Sequence, residues 1–203
     1  MDTDNLYPQD NIKKYIEKWD NTEEYVIPEK ALQTLFLNKR DHHLSSDDLL
    51  IKCSVLNDFY GTNIFKVYYV VSHYLTVVNL AERLEAGDIT LVDDLRKVVV
   101  PKKDKDGKIA GERTIDYYSF ATKFCSHHKP DVFPIYDSNV AYALKSFRKR
   151  DSRIRFADSD LRNYQKFAGI IDTFRKVYDL ERYNVKDIDR YLWQLGKDLQ
   201  KQK

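Results

Sequence analysis

Cysteine is scarce in this chain: Cys53 and Cys125 are the only two in 203 residues. That is too few for the disulfide framework of a small secreted scaffold, and the chain reads as a reduced, cytoplasmic protein. Glycine (6) and proline (5) are also sparse, which excludes collagen-like and linker-rich designs. No run of roughly eighteen apolar residues occurs, so no membrane-spanning helix is expected. The N-terminus, Met1-Asp2-Thr3-Asp4-Asn5, is acidic and lacks the basic and apolar regions of a signal peptide. No nucleotide-binding glycine loop is present. His42-His43, His127-His128 and the two cysteines do not make paired metal-ligand spacing. Cys125 with His127 or His128 comes nearest to a zinc pattern, and neither metal nor cofactor is expected.

What the chain has in quantity is aromatic and charged side chains, 13% and 33%, beside 42% hydrophobic residues. Such aromatic content argues for order rather than disorder. The length suits one compact domain, 1–203, built as an N-terminal lobe over about 1–100 and a second lobe over about 101–203. Net charge is only +2, but it is unevenly spread. Residues 1–100 hold 11 basic and 17 acidic residues, a net of −6. Residues 101–203 hold 23 and 15, a net of +8. The second half is therefore a candidate surface for a polyanion, unless the two halves simply neutralise one another.

Most of the chain has helical periodicity. A polar-rich helix is expected near Asn11–Trp19, and a second with Pro28 as its first residue. Ser45-Ser46-Asp47-Asp48 marks a third start, with an apolar stripe at Leu49, Cys53, Leu56 and Tyr60. Ile64–Val78 is apolar nearly all round and reads as a buried central helix. Shorter helices follow over Leu80–Glu85, ended by Gly87, and over Leu91–Val98. Asp106-Gly107 suggests a β-hairpin near residues 98–110. Asp104 and Asp106 lack the later ligands of a calcium loop. Helices are then expected from Thr114 to His128, from an Asp137 cap to Arg150, through Phe167–Tyr178, and from Asn184 onward. The fold class is mostly α with one short hairpin.

The informative segment runs from Ser119 to Asp137. Lys123 lies mid-helix, with Ser119, Phe120, Ser126 and His127 three or four positions away. Its face is small, polar and aromatic rather than charged. An amine removed from water in this way can lose its proton and act as a nucleophile. Fourteen residues on, after a loop bounded by Pro130 and Pro134, Asp137 opens the next helix, whose dipole favours a carboxylate. An amine and a fixed carboxylate are what cleavage of an N-glycosidic bond requires: one attacks the anomeric carbon, the other stabilises positive charge on the sugar. The plain alternative is a solvated lysine and an ordinary helix cap.

Ser119-Phe120-Ala121-Thr122-Lys123 and the Pro-bounded approach to Asp137 resemble the catalytic region of the helix-hairpin-helix DNA glycosylases, in particular the 8-oxoguanine DNA glycosylase group. The resemblance covers about residues 45–150. It implies a two-lobed helical bundle in which Lys123 forms a Schiff base and Asp137 is its electrostatic and acid-base partner. Tyr60-Gly61-Thr62-Asn63-Ile64 resembles the segment that enters the duplex where the damaged base has left, which places Asn63 there. Ser119 and Ala121 stand where the family has glycines, so Ser119 falls at the hairpin that meets a DNA phosphate. The Lys-to-Asp spacing is shorter than is usual in the family.

Around these residues, Phe120, His127, Phe133 and Tyr136 are candidates to stack on an extruded base. Ser138 and Asn139 follow Asp137 at a helix start, where backbone amides favour phosphate. Lys145, Arg148, Lys149 and Arg150 begin a basic stretch suited to a duplex backbone. The function expected is a DNA glycosylase with AP lyase activity, acting as a monomer on double-stranded DNA that carries a modified base. The alternatives are an inactive DNA-binding module of the same fold and a helical protein-interaction module.

Overall fold

The computed structural model describes residues 7–37 and 44–201; the His42-His43 pair and the N-terminal pentapeptide lie outside them. The chain divides into two compact units. The first is discontinuous and joins the chain through Lys30 with Pro130 onward; the second is Ala31–Lys129. Residue 100, where a lobe boundary was expected, lies inside the second unit. Among the described residues the fold is mostly α, with ten α-helices and one two-stranded antiparallel hairpin. No helix among them is long and apolar enough to cross a membrane.

The first unit contains α1 (Pro8–Asp20), the start of α2 (Glu23–Leu37), α8 (Ser138–Arg150), a 3-10 turn (Asp158–Arg162), α9 (Tyr164–Val177) and α10 (Val185–Lys201). α10 begins with a reciprocal cap: Asn184 Oδ1 accepts from the Asp187 N–H, and Asp187 Oδ2 accepts from the Asn184 N–H. Its apolar stripe of Ile188, Tyr191, Leu192 and Leu195 is buried, and the helix packs against both α1 and α8. Phe147 of α8 meets Phe174 of α9 edge-on, with ring centres 4.9 Å apart. Pro28 lies inside α2, not at its first position. The helix starts five residues earlier, at Glu23, because Glu23 and Glu24 occupy its first turn and suit the positive end of the dipole.

The second unit contains the rest of α2, α3 (Ser46–Phe59), α4 (Val67–Tyr74), α5 (Leu80–Ala86), α6 (Leu91–Arg96), β1 (Lys97–Lys103), β2 (Ile109–Asp116) and α7 (Tyr118–His128). Ser45 caps α3 by accepting from the Asp48 N–H. Gly87 ends α5 at φ +75°, a left-handed conformation that favours glycine. The stripe Leu49, Cys53 and Leu56 is fully buried. It belongs to a core in which Phe124 of α7 touches the rings of Phe36, Tyr74 and His128.

Two expectations fail here. Ile64–Val78 is not one buried helix: α4 covers only eight residues, and Val70, Val71 and Tyr74 face inward. Phe65, Tyr68, Leu75 and Val78 are exposed, because Asn63 at φ +55° turns the chain before the helix and Thr76 closes back on the His73 carbonyl after it. Nor does the last helix of this unit start at Thr114. Thr114 and Ile115 pair with Val99 and Val98 as the end of β2, where β-branched side chains fit a pleated surface. The turn between the strands is closed by Asp104, whose Oδ1 accepts from the N–H groups of Asp106 and Lys108.

Candidate functional site

α7 starts where the hairpin ends. Asp116 receives a two-pronged bond from Arg96, at 2.8 Å from Nε and 2.5 Å from Nη2. The same guanidinium lies 4.0 Å from the centre of the Tyr118 ring. Arg96 thus ties α6, β2 and the first residue of α7 together. The helix that follows is buried at every position from Phe120 to His127.

Lys123 is part of that buried run, with only 4% of its surface exposed. Its Nζ donates to Ser119 Oγ at 2.7 Å, one helical turn back, and lies 4.7 Å from the centre of the Tyr60 ring. The Tyr60 hydroxyl is hydrogen-bonded to His127 Nε2 at 3.0 Å, and His127 rests against Phe36 at 5.2 Å between ring centres. Ser119, Lys123 and His127 therefore occupy one face of α7, and Tyr60, at the end of α3, closes over it. Tyr60 fits the apolar stripe of α3 in the sequence, so nothing there marks its hydroxyl for His127. Their contact joins residues 67 apart, a separation that no local pattern encodes.

Asp137 is carried by the first unit and Lys123 by the second. Asp137 is the cap of α8, its Oδ1 accepting from the Asn139 N–H at 2.9 Å. Ser138 is exposed, and the Asn139 side chain accepts from Gln200 of α10. The backbone amide of Ile135, just before Asp137, donates to Asp189 of α10 at 2.9 Å, and the Pro134 carbonyl accepts from the Tyr164 hydroxyl. The loop leading to the cap is thus fastened at two successive residues.

The four aromatic candidates divide between the units, Phe120 and His127 in the second, Phe133 and Tyr136 in the first. Phe120 (2% exposed) and Phe133 (0%) are core residues; Phe133 stacks on Tyr164. Tyr136 packs on Phe167 in the first unit, with the Arg162 guanidinium 5.5 Å from its ring centre. Within the basic stretch, Lys145 and Arg148 both pair with Asp158, at 2.7 and 2.8 Å. They are therefore partly neutralised, while Lys149 and Arg150 are exposed. Asn63 is exposed in the second unit, at its left-handed turn.

Burial pushes the Cys53 thiol up to about 12 and that of Cys125 higher still, so neither presents a thiolate at neutral pH. Among the described residues no group of three or more His, Cys, Asp or Glu side chains could hold a metal ion.

Fold and site together define a mostly helical protein with a buried lysine held by a serine hydroxyl and a tyrosine ring, the tyrosine itself bonded to a histidine. Residues 11–132 match the HI_0787_N family, an N-terminal domain, and the chain belongs to that family. The matched segment contains Tyr60, Ser119, Lys123 and His127 and stops short of Asp137. The chain is also similar to an uncharacterized protein of Haemophilus influenzae, 41% identical over 153 residues, which cover 75% of this chain and 68% of the relative. No solved structure matches.

Proposed function

We propose that this protein is a DNA glycosylase with an associated lyase step, Lys123 being the nucleophile and a modified base in double-stranded DNA the target. One observation carries the reading: Lys123 is enclosed and fixed between Ser119 and the Tyr60 ring, not solvated on a helix surface. Positioned amines of this kind act on sugars when they reach the anomeric carbon unprotonated. In the reaction, Lys123 Nζ bonds to C1′ and the N-glycosidic bond breaks, its electron pair leaving with the base, which takes up a proton. Ring opening gives the Schiff base. Loss of a C2′ proton then expels the 3′ phosphate by β-elimination. The resemblance gives Asp137 the role of electrostatic and acid-base partner. The resemblance to the 8-oxoguanine DNA glycosylase group supports these roles, and the reduced state of Cys53 and Cys125 suits a cytoplasmic setting.

Borohydride reduction tests this directly. The wild type should yield a covalent protein–DNA adduct on at least one substrate from a broad panel of lesions and modified bases. Lys123→Gln should abolish the adduct and Asp137→Asn should reduce it at least tenfold. A wild type that traps nothing across the panel removes the nucleophile assignment.

The enclosure of Lys123 also favours a second reading, a DNA-binding module in which Lys123 only braces α7 against α3. Serine and alanine at 119 and 121, where the glycosylases have glycines, point the same way. In that case Lys123→Gln lowers stability, and neither form traps DNA.

A further inference from the structure

Within the second unit, the chain from Asn63 to Tyr69 and one face of the hairpin enclose an open groove of about 600 Å³. Its floor is apolar: Val100 is buried and Ile115 half-buried, and the two strands present them on the same face. Its charged lining is all of one sign, Lys66, Lys102, Lys103 and Arg113, with no Asp or Glu. Among the described residues no carboxylate pairs with these four side chains. Tyr69 and Tyr117 line the walls, and the Lys66 ammonium lies 5.7 Å from the Tyr69 ring centre. At the rim stands Phe65, 100% exposed.

A fully exposed phenylalanine beside four cations stands out. An isolated apolar side chain on a surface is ordinary, but here ring faces and positive charges share one groove. Cations spaced along a groove match the phosphates of a strand, and free aromatic faces match unpaired bases, since every base offers a π-face for stacking. A duplex satisfies the cations but hides its base faces. An acidic peptide satisfies them too, but only a nucleic-acid strand carries an aromatic face beside every charge.

We infer that this groove binds single-stranded nucleic acid, with phosphates on Lys66, Lys102, Lys103 and Arg113 and an unpaired base on Phe65. The inference goes beyond the proposed function, whose target is double-stranded DNA, and is independent of Lys123 chemistry.

Fluorescence polarisation with the whole protein and a lesion-free labelled oligothymidine of about a dozen nucleotides tests it. The same measurement is made with a duplex of equal length and with polyglutamate, at several salt concentrations. The single strand should bind at least about tenfold tighter than either competitor. Phe65→Ala should lose about tenfold for the single strand and little for the duplex. Lys102→Glu should weaken both nucleic acids and lower the slope of log affinity against log salt by about one. Both side chains are exposed, and unchanged thermal melts confirm that the variants fold. A single strand bound no better than duplex or polyglutamate, or a Phe65→Ala protein that binds like wild type, overturns the inference. Strand binding retained without any borohydride adduct would sink only the lyase reading.

Discussion

At the residue scale, two buried titrating groups pull stability in opposite directions. Asp189 is buried, its Oδ2 accepts from Ile135 and, among the described residues, its Oδ1 has no hydrogen-bond partner. Burial raises its carboxyl to about 7, against the lowering effect of that hydrogen bond and of Lys186. A carboxyl raised on folding stabilises most below its unfolded value, and that contribution is lost as pH rises to about 7. Asp189→Asn keeps an acceptor for Ile135 and removes the charge. It should therefore gain roughly 1–3 kcal/mol over wild type at pH 8, with the gain vanishing near pH 4. Urea titrations across that range check this, and a variant equally destabilised at every pH refutes it. His128 behaves in the opposite sense. Burial first, and Lys52 second, lower its imidazole to about 3. Its contribution is intact above 6.5 and drains away as pH falls toward 3. Neither effect is legible in the sequence, where Asp189 and His128 look like ordinary polar residues. Burial decides both, and burial is a property of the packing.

The elements were more legible than the residues, wherever a local cap or breaker decides the outcome. Ser45, Gly87, Asp137 and Asn184 all act as the punctuation their chemistry suggests. Pattern reading failed where tertiary partners decide: the apolar run at 64–78 became a short helix with exposed flanks, and Thr114–Asp116 joined a strand because β1 lies beside it. The close approach of α10 to α8 was also invisible. A Cβ built on Gly196 would stand 2.0 Å from the Asn139 carbonyl oxygen and 2.6 Å from its carbon. A backbone in the first turn of α8 cannot step aside cheaply. Gly196→Ala should cost about 2–4 kcal/mol despite alanine's better helix propensity, seen as a Tm lowered by roughly 5–10 °C. Because Asn139 also bonds Asp137, the variant should lose borohydride trapping more steeply than it loses helical content. A melting temperature equal to wild type would show that the helices separate freely.

At the scale of the whole molecule, the two units draw on the sequence differently. The second is continuous, from Ala31 to Lys129, whereas the first joins α1 to helices from the far end of the chain. Gln194 of α10 donates to the carbonyl of Tyr15 in α1, across 179 residues of sequence. Segments that belong to one cooperative unit open together. Native-state hydrogen exchange in rising urea should therefore group the amides of α1 with those of α10, and apart from those of α3 and α7. Exchange of α1 in step with α3 would contradict that division. The same threading bears on how the protein is made. On the ribosome, residues 31–129 meet their own packing partners soon after they emerge. α1 must wait, its inward side chains uncovered, for a mate translated far later. The stretch most at risk of straying in a newborn chain is thus α1, which is made long before the helix that covers it.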